Sequence, residues 1–373
     1  MNKIVVWPGD GIGPEVMKEA QKAIAAVCEK YGIELDLREA DLGGATGIPL
    51  PEETLELCRQ AEALLLGPGG GPRGEYPPGK ERLERGGRSR WLQELKLFAH
   101  LRPVVLFKPL RSISPLSSLR WNGGVDMVTV REISGGIAHS QSGMRKGDGA
   151  VDMMSCKERE IARIVKVAFD AARKRRQRVT SIDKTGTLAC AALWRDVVNV
   201  TAAQYPEIEL THMTADHAAM QLVLNPRQFD VILTGSLFGD ILADESAALA
   251  GSVGLLPCAS IGEGVSLYEP AGDSAPEMAG RGMANPIAQI LAAALMFDYS
   301  LDMPHVSRDI KNAVETALKL GYRPSDIAGD WRPVSTSAMG DAISACLKGE
   351  TVPDRNQTRH PLHCVLSGFT DQV

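Results

Sequence analysis

Short apolar runs and amphipathic helical patterns alternate along this chain of 373 residues from its first turn onward, and that alternation limits the possible folds more than any other feature. Ile4-Val5-Val6-Trp7 is a buried-strand pattern closed by the turn-forming Pro8-Gly9-Asp10-Gly11. A helix is predicted next: Pro14 suits its first turn, and Val16, Met17, Ala20, Ile24 and Val27 recur at helical spacing. The run 63–66 leads into glycine-rich 67–71, which is either a functional loop or only a flexible turn. Residues 157–175 predict an amphipathic helix with Ile161, Ile164, Val165, Ala168 and Ala172 on one face. Its basic end, Arg173 to Arg176, suits the negative end of a helix dipole and need not mark a nucleic-acid patch. A strand at 179–183, a helix from about 193 to 203, a strand at 229–234, a helix carrying Asp240 and Asp244, and an Ala/Leu helix over 286–297 complete the series. Such a chain is expected to form an α/β protein around a largely parallel sheet. Residues 351–373 lack periodicity and read as a tail or partner-binding extension.

Totals narrow the function. A formal net charge of -5 gives no general attraction to nucleic acid or to an anionic membrane, so a small-molecule partner is expected. The seven cysteines (Cys28, Cys58, Cys156, Cys190, Cys258, Cys346 and Cys364) form no C-x-x-C pair, which fits reduced thiols in a cytoplasm. The N-terminal apolar run is too short for a signal peptide, and no stretch is long enough to span a bilayer.

The most informative local motif is FGDILADE. Asp240 and Asp244 lie four apart on a predicted helix, so their carboxylates share a face. That face is either simply solvated or bridged by a divalent cation with oxygen ligands. Its position directly after a buried strand, where α/β sheets gather ligands, favours the cation more than the spacing alone would. GDGIG falls short of the G-x-G-x-x-G spacing, and no acidic residue is expected to end a suitable second strand, so a Rossmann site is a weak reading. Lys184, in SIDKTGT at the end of a predicted strand, is either a solvated loop charge or, beside a metal, a base.

Taken together, GDGIGPEV (9–16), LFAHLRP (97–103), VREISGG (130–136), SIDKTGTL (181–188), ADHAAMQL (215–222), FDVILTGSLFGDILADE (229–245), GSVGLLPCAS from Gly251, YEP (268–270) and SAPEMAGRGMANPIAQIL (274–291) resemble the β-decarboxylating dehydrogenases of isocitrate, isopropylmalate, homoisocitrate and tartrate. The isopropylmalate branch is nearest in texture. The resemblance implies a two-domain isopropylmalate dehydrogenase-like fold that is not Rossmann, with a mixed, largely parallel sheet. Its first, cofactor-side domain would comprise 1–98 and 250–350. The second, 99–249, would carry substrate, metal and dimer contacts, with an arm near 121–155. A homodimer is implied, each active site being completed by the partner subunit. Asp216, Asp240 and Asp244 match metal-binding aspartates that hold Mg²⁺ or Mn²⁺. Lys184 matches the lysine that helps remove the substrate hydroxyl proton, while Arg102 and Arg131 match arginines that bind the malate carboxylates. Ile12, Gly272, Ser274, Ala275, Glu277 and Asn285 match cofactor contacts. A glutamate at the ribose would repel a 2′-phosphate, so NAD is expected in place of NADP.

Four departures fall in or near this implied site. Ala138 stands where the family has the tyrosine that protonates the enol, with His139 beside it as either a substitute acid or an ordinary loop histidine. Gly186 replaces an asparagine, and Gly272 replaces the histidine of the cofactor loop. The substrate-recognition helix reads Arg85-Gly86-Gly87-Arg88-Ser89-Arg90-Trp91-Leu92, so an alkyl pocket is expected to have become cationic through Arg88 or Arg90. The expected substrate is therefore a malate with a polar or anionic C3 substituent, used in a specialised pathway. A dehydrogenase that does not decarboxylate and a non-catalytic relative that kept the fold are the alternatives.

Overall fold

The computed structural model describes residues 2–40, 52–69, 93–116, 124–137 and 144–356. Twelve strands are present among them. Ten form one sheet in the order β2-β1-β3-β12-β11-β4-β5-β10-β8-β9. From residues 2–66 and 257–270 come β1 (Asn2–Trp7), β2 (Leu35–Glu39), β3 (Ala63–Leu66), β11 (Pro257–Gly262) and β12 (Ser266–Pro270). The other five are β4 (Leu97–Val105), β5 (Asp126–Glu132), β8 (Arg178–Asp183), β9 (Glu209–Thr214) and β10 (Val231–Thr234). Pairing is parallel except where β12–β11, β11–β4 and β4–β5 reverse direction, which makes the sheet mixed but largely parallel. Two further strands, β6 (Met144–Lys146) and β7 (Gly149–Val151), form a separate antiparallel hairpin.

The helical patterns fold as their periodicity requires. Helix α1 (Gly13–Tyr31) carries Pro14 in its first turn and ends at Gly32, whose φ of 63° is a left-handed cap that glycine adopts without a Cβ penalty. Its buried stripe includes Val16, Met17, Ala20, Ala23, Ile24 and Val27. Helix α2 (Glu52–Arg59) precedes β3. Helix α3 (Glu158–Arg173) buries the five apolar residues singled out above, plus Phe169. Helix α4 (Ala189–Ala202) begins four residues earlier than its periodicity suggests, because Leu188 serves as its N-cap without a polar side chain to advertise the start. Helices α5 (Ala215–Leu224) and α6 (Ser236–Leu249) cover one face of the β5–β10–β8 region. In helix α7 (Ile287–Tyr299) every residue from Ile287 to Phe297 is buried, so it is a core helix with no solvent face. It lies in the main core with α8 (Pro304–Lys319) and α9 (Thr336–Lys348). Each such fully buried Leu, Ile or Phe contributes about 1.5–3 kcal/mol.

Three further details differ from the sequence reading. Arg173 is the only arginine of the 173–176 run inside α3. Arg175 and Arg176 lie beyond it, and Asp230 accepts from the Arg175 Nε (2.8 Å) and the Arg176 amide (2.9 Å). The basic run therefore serves a buried carboxylate as well as the helix end. An acidic residue, Glu39, does end the second strand, β2. Finally, the extension begins docked onto the body: the Arg355 amide donates to Leu320 O (2.9 Å) and Asn356 Nδ2 to Lys319 O (3.0 Å). Residues 357–373 lie outside the described part.

Candidate active site

Strands β5, β10, β8 and β9 run parallel, so their carboxyl ends share one edge of the sheet. Arg131 sits near the end of β5, α6 starts just after β10, Lys184 directly follows β8, and Asp216 lies in the first turn of α5 after β9. Arg102 comes from the antiparallel β4. It pairs with Thr129 while His100 pairs with Arg131, which puts Arg102 and Arg131 on the same sheet face as diagonal neighbours.

Helix α6 lies over that face. The Arg131 guanidinium donates to Asp240 Oδ1 and through Nε to Ser236 O (2.8 Å), and Arg102 donates to Asp244 Oδ1. Gly239 makes this fit possible, because a Cβ there would collide with the Arg131 side chain and the Thr234 methyl. The arginines are largely covered, with side chains 13% and 16% exposed, while the Asp244 and Asp240 carboxylates are 76% and 61% exposed. Two hard oxygen donors thus stand one helical turn apart, open to solvent and backed by two guanidinium groups. This donor set fits a hard divalent cation together with a dianionic substrate.

A second pair stands at the ends of β8 and β9. Lys184 Nζ donates to Asp216 Oδ1 at 2.5 Å, and this bond above all holds the Asp216 carboxyl below the usual carboxylate range. Among the described residues no three His, Cys, Asp or Glu side chains come close enough to hold a metal. The expected triad of Asp216, Asp240 and Asp244 is therefore not assembled within one chain: the structure gives Asp240 and Asp244 as one set and Asp216 with Lys184 as another.

The Lys184 loop is anchored by a group the sequence reading passed over. The Asp183 side chain is 1% exposed and accepts from Arg195 Nε (2.9 Å) and Nη2 (3.0 Å), the Thr185 amide (2.9 Å) and the Thr185 hydroxyl (2.5 Å). Burial raises its pKa, but Arg195 and Thr185 outweigh burial and hold it below the ordinary value. His212 lies 3.9 Å away and donates from Nε2 to Asn199 Oδ1 (2.8 Å). Burial first, then the Arg195 charge, push its pKa down, so the ring is neutral near pH 7. Arg195 is twelve residues along the chain inside α4, and no local spacing advertises the pair. Glu132 is similar: its buried carboxylate accepts the amides of Ser134 and Gly135, both at 2.9 Å, and fixes the turn after Arg131.

Two of the expected cofactor residues, Ile12 and Ser274, meet at the loop after β1. The Ile12 amide donates to Ser274 O (2.8 Å), the Asp10 amide to Pro68 O (2.9 Å), and the Gly67 amide to Trp7 O (2.7 Å). Gly11, at φ +53°, and Gly67 have their Cα atoms against the carbonyls of Ser274 and Pro8, so any Cβ would clash with backbone. Gly67 is thus a close-approach glycine and not a flexible turn. Ala275 takes a left-handed conformation (φ 39°), turning the chain into the short helix that carries exposed Glu277. Asn285 donates to Asp326 Oδ2 (3.0 Å) and accepts the Ile287 amide (3.0 Å). Arg88, Ala138 and His139 lie outside the described residues.

A ten-stranded mixed sheet with arginines and aspartates crossing its central face is the frame of a hydroxy-acid dehydrogenase, and residues 3–343 match the isocitrate/isopropylmalate dehydrogenase family, to which this chain belongs. Among particular relatives, the chain is 48% identical over 355 residues to the 3-isopropylmalate dehydrogenase of Thermotoga maritima, covering 94% of this chain and 99% of that protein. It is 47% identical over 352 residues to that of Vibrio cholerae, covering 92% and 97%. Among solved structures, isocitrate dehydrogenase from Methylococcus capsulatus aligns with a TM-score of 0.76 at 32% identity, over 93% of this chain and all of that one. A β-decarboxylating dehydrogenase from Thermococcus kodakarensis, in its apo form, aligns with a TM-score of 0.76 at 30% identity, over 94% and 97%.

Proposed function

We propose that this chain catalyses NAD-linked, Mg²⁺- or Mn²⁺-dependent oxidation of a 3-substituted malate, followed by loss of the β-carboxyl group as carbon dioxide. The observation that carries this reading is the pairing of Arg102 and Arg131 with Asp244 and Asp240 on one face of the central sheet. Arg102 and Arg131 bind the two malate carboxylates and orient the C2–H bond toward the nicotinamide. Lys184, held by Asp216 of its own chain and braced by Asp183, would reach the site from the partner subunit together with that aspartate and take the hydroxyl proton as hydride leaves. Asp240 and Asp244, with Asp216 of a partner subunit, hold the divalent ion, which when bound supplies positive charge to the oxygen chemistry of both steps. Ile12, Gly272, Ser274, Ala275, Glu277 and Asn285 receive NAD, and His139 serves as the proton donor in place of the absent tyrosine.

A homodimer completes each site. Its support is an apolar surface on the helices that carry the aspartates: Met220, Val223 and Leu224 on α5 and Leu237 and Ile241 on α6 are all exposed. Val151 and Met153, at the hairpin, are exposed as well. Residues 1–98 and 250–350 would form one domain and 99–249 the other, with the hairpin in the dimer arm near 121–155. A cytoplasmic location agrees with the absence, among the described residues, of any helix able to cross a membrane.

The C3 substituent is read as polar or anionic, from Arg85, Arg88 and Arg90, and the use as a specialised one. The replacement of the protonating tyrosine by Ala138 favours a second reading, oxidation without decarboxylation. Both are tested by following NAD reduction and carbon dioxide release with Mn²⁺ on isopropylmalate, isocitrate, tartrate and phosphono- and sulfo-substituted malates. Turnover on an anionic member, lost with Arg88→Leu through a raised KM, is the expected result. Turnover on isopropylmalate alone overturns the anionic pocket, and NADH formation without carbon dioxide establishes the second reading. Silence on every substrate, in a protein that binds Mn²⁺ and NAD, makes the chain a non-catalytic relative.

A further inference from the structure

Side chains on a strand alternate between faces, so the strand that carries Arg102 toward α6 turns Pro103 and Val105 the other way. Behind them lies a cavity of about 800 Å³, within the usual range for small-molecule sites. One wall comes from the β4–β5 end, from 176–178 and from 225–228; the other comes from Leu255, Pro257, α7 and α8. The lining holds six cations, Lys108, Arg111, Arg176, Arg178, Arg227 and Lys311, against two acids, Asp126 and Glu315. Both acids are already engaged: Asp126 accepts from Arg175 at 2.6 Å and Glu315 from Lys319 at 3.0 Å.

Two of the cations have their carboxylate only at the outer limit of ion pairing. Arg176 spends its hydrogen bonds on the Asp126 and Phe229 carbonyls, at 3.0 and 2.6 Å, with the Asp230 carboxylate 3.8 Å away. The nearest carboxylate to Lys311 is Asp298, 3.9 Å away. Crowding of protein around the Lys311 ammonium pushes its pKa down, opposed by Asp298 and reinforced by Arg175. Such a group gains from a bound anion. The rest of the lining divides into an apolar wall, with Phe107, Leu291 and Leu295, and the amide side chains of Asn225, Gln228 and Asn312.

We propose that this cavity, on the reverse face of the sheet from Arg102 and Arg131, is a second ligand site that takes a nucleoside polyphosphate. The phosphates would lie on Arg178 and Lys311, the base against Phe107, Leu291 and Leu295, and its polar edge on the amides. Guanidinium and ammonium groups suit phosphate oxygens, and an apolar wall with a few placed amides suits a planar heterocycle. A bound ligand would bridge the two walls and so bias how the two halves of the sheet sit around the reaction face.

The test is calorimetric titration of ADP into protein held at saturating NAD, with Arg178→Leu and Lys311→Met as variants. One ADP per chain is expected, with affinity falling at least tenfold in each variant while the NAD-induced rise in melting temperature stays as in the parent. That unchanged rise shows the variants folded. Inorganic tripolyphosphate should bind more weakly than ADP; equal or tighter binding overturns the base-binding wall. Absence of ADP binding, or binding that both variants leave unchanged, overturns the site and leaves the proposed dehydrogenase reaction untouched.

Discussion

Replacing Asp183 by asparagine tests the link between the buried interior and the Lys184 loop. The substitution keeps the shape and lets the amide oxygen still accept from Thr185, but it removes the charge that two Arg195 nitrogens approach at 2.9 and 3.0 Å. Breaking a buried ion pair from one side costs about 3–5 kcal/mol. Arg195 is 33% exposed and regains some water, so the lower end applies, about 3 kcal/mol. With an unfolding entropy of about 2.1 cal/mol/K per residue, 373 residues give roughly 0.8 kcal/mol/K, so the melting temperature should fall by about 4 °C at pH 7. The pH dependence supplies an independent check. The folded pKa of Asp183 lies below its unfolded value, so its stabilisation is fully present above about pH 4 and disappears as pH falls through the folded pKa. The difference between parent and variant, followed by circular dichroism melts from pH 7 to pH 3, should therefore narrow at the acid end. Equal melting temperatures at pH 7, or a gap that stays constant down to pH 3, would refute the reasoning.

Two further outcomes follow from the same geometry. Gly11→Ala drives a methyl into the Ser274 carbonyl, so the Ile12–Ser274 contact must open; KM for NAD should rise about tenfold or more in steady-state assays, while the KM for the hydroxy acid stays near the parent value. Ile241→Asp places a charge on the apolar surface of α6 beside Asp240, and analytical ultracentrifugation should show the proposed dimer for the parent and monomer for the variant, with activity lost in proportion.

The sequence by itself determined the fold class and the strongly patterned elements, while β2, α2, β9, α8 and α9 were not read from it. Period-2 and period-3.6 patterns are local properties, so 63–66, 157–175 and the helix bearing Asp240 and Asp244 were readable as they stand. The motif series identified the family for the same reason, because each motif is a contiguous stretch whose order along the chain is itself information. Local pattern failed where a partner is distant. Nothing near Asp183 points to Arg195, and the Leu188 cap carries no polar signal. The glycine run at 67 read equally as a functional loop or a flexible turn, because the obstruction that demands glycine there is the carbonyl of Pro8, brought close by strand pairing. Tertiary structure also decided how the aspartates are divided. Spacing along α6 places Asp240 and Asp244 together, but the distance from Asp216 depends on the strand order β5-β10-β8-β9. Strand order is set by which apolar faces bury one another across the whole sheet, a long-range choice that residue-by-residue chemistry does not encode.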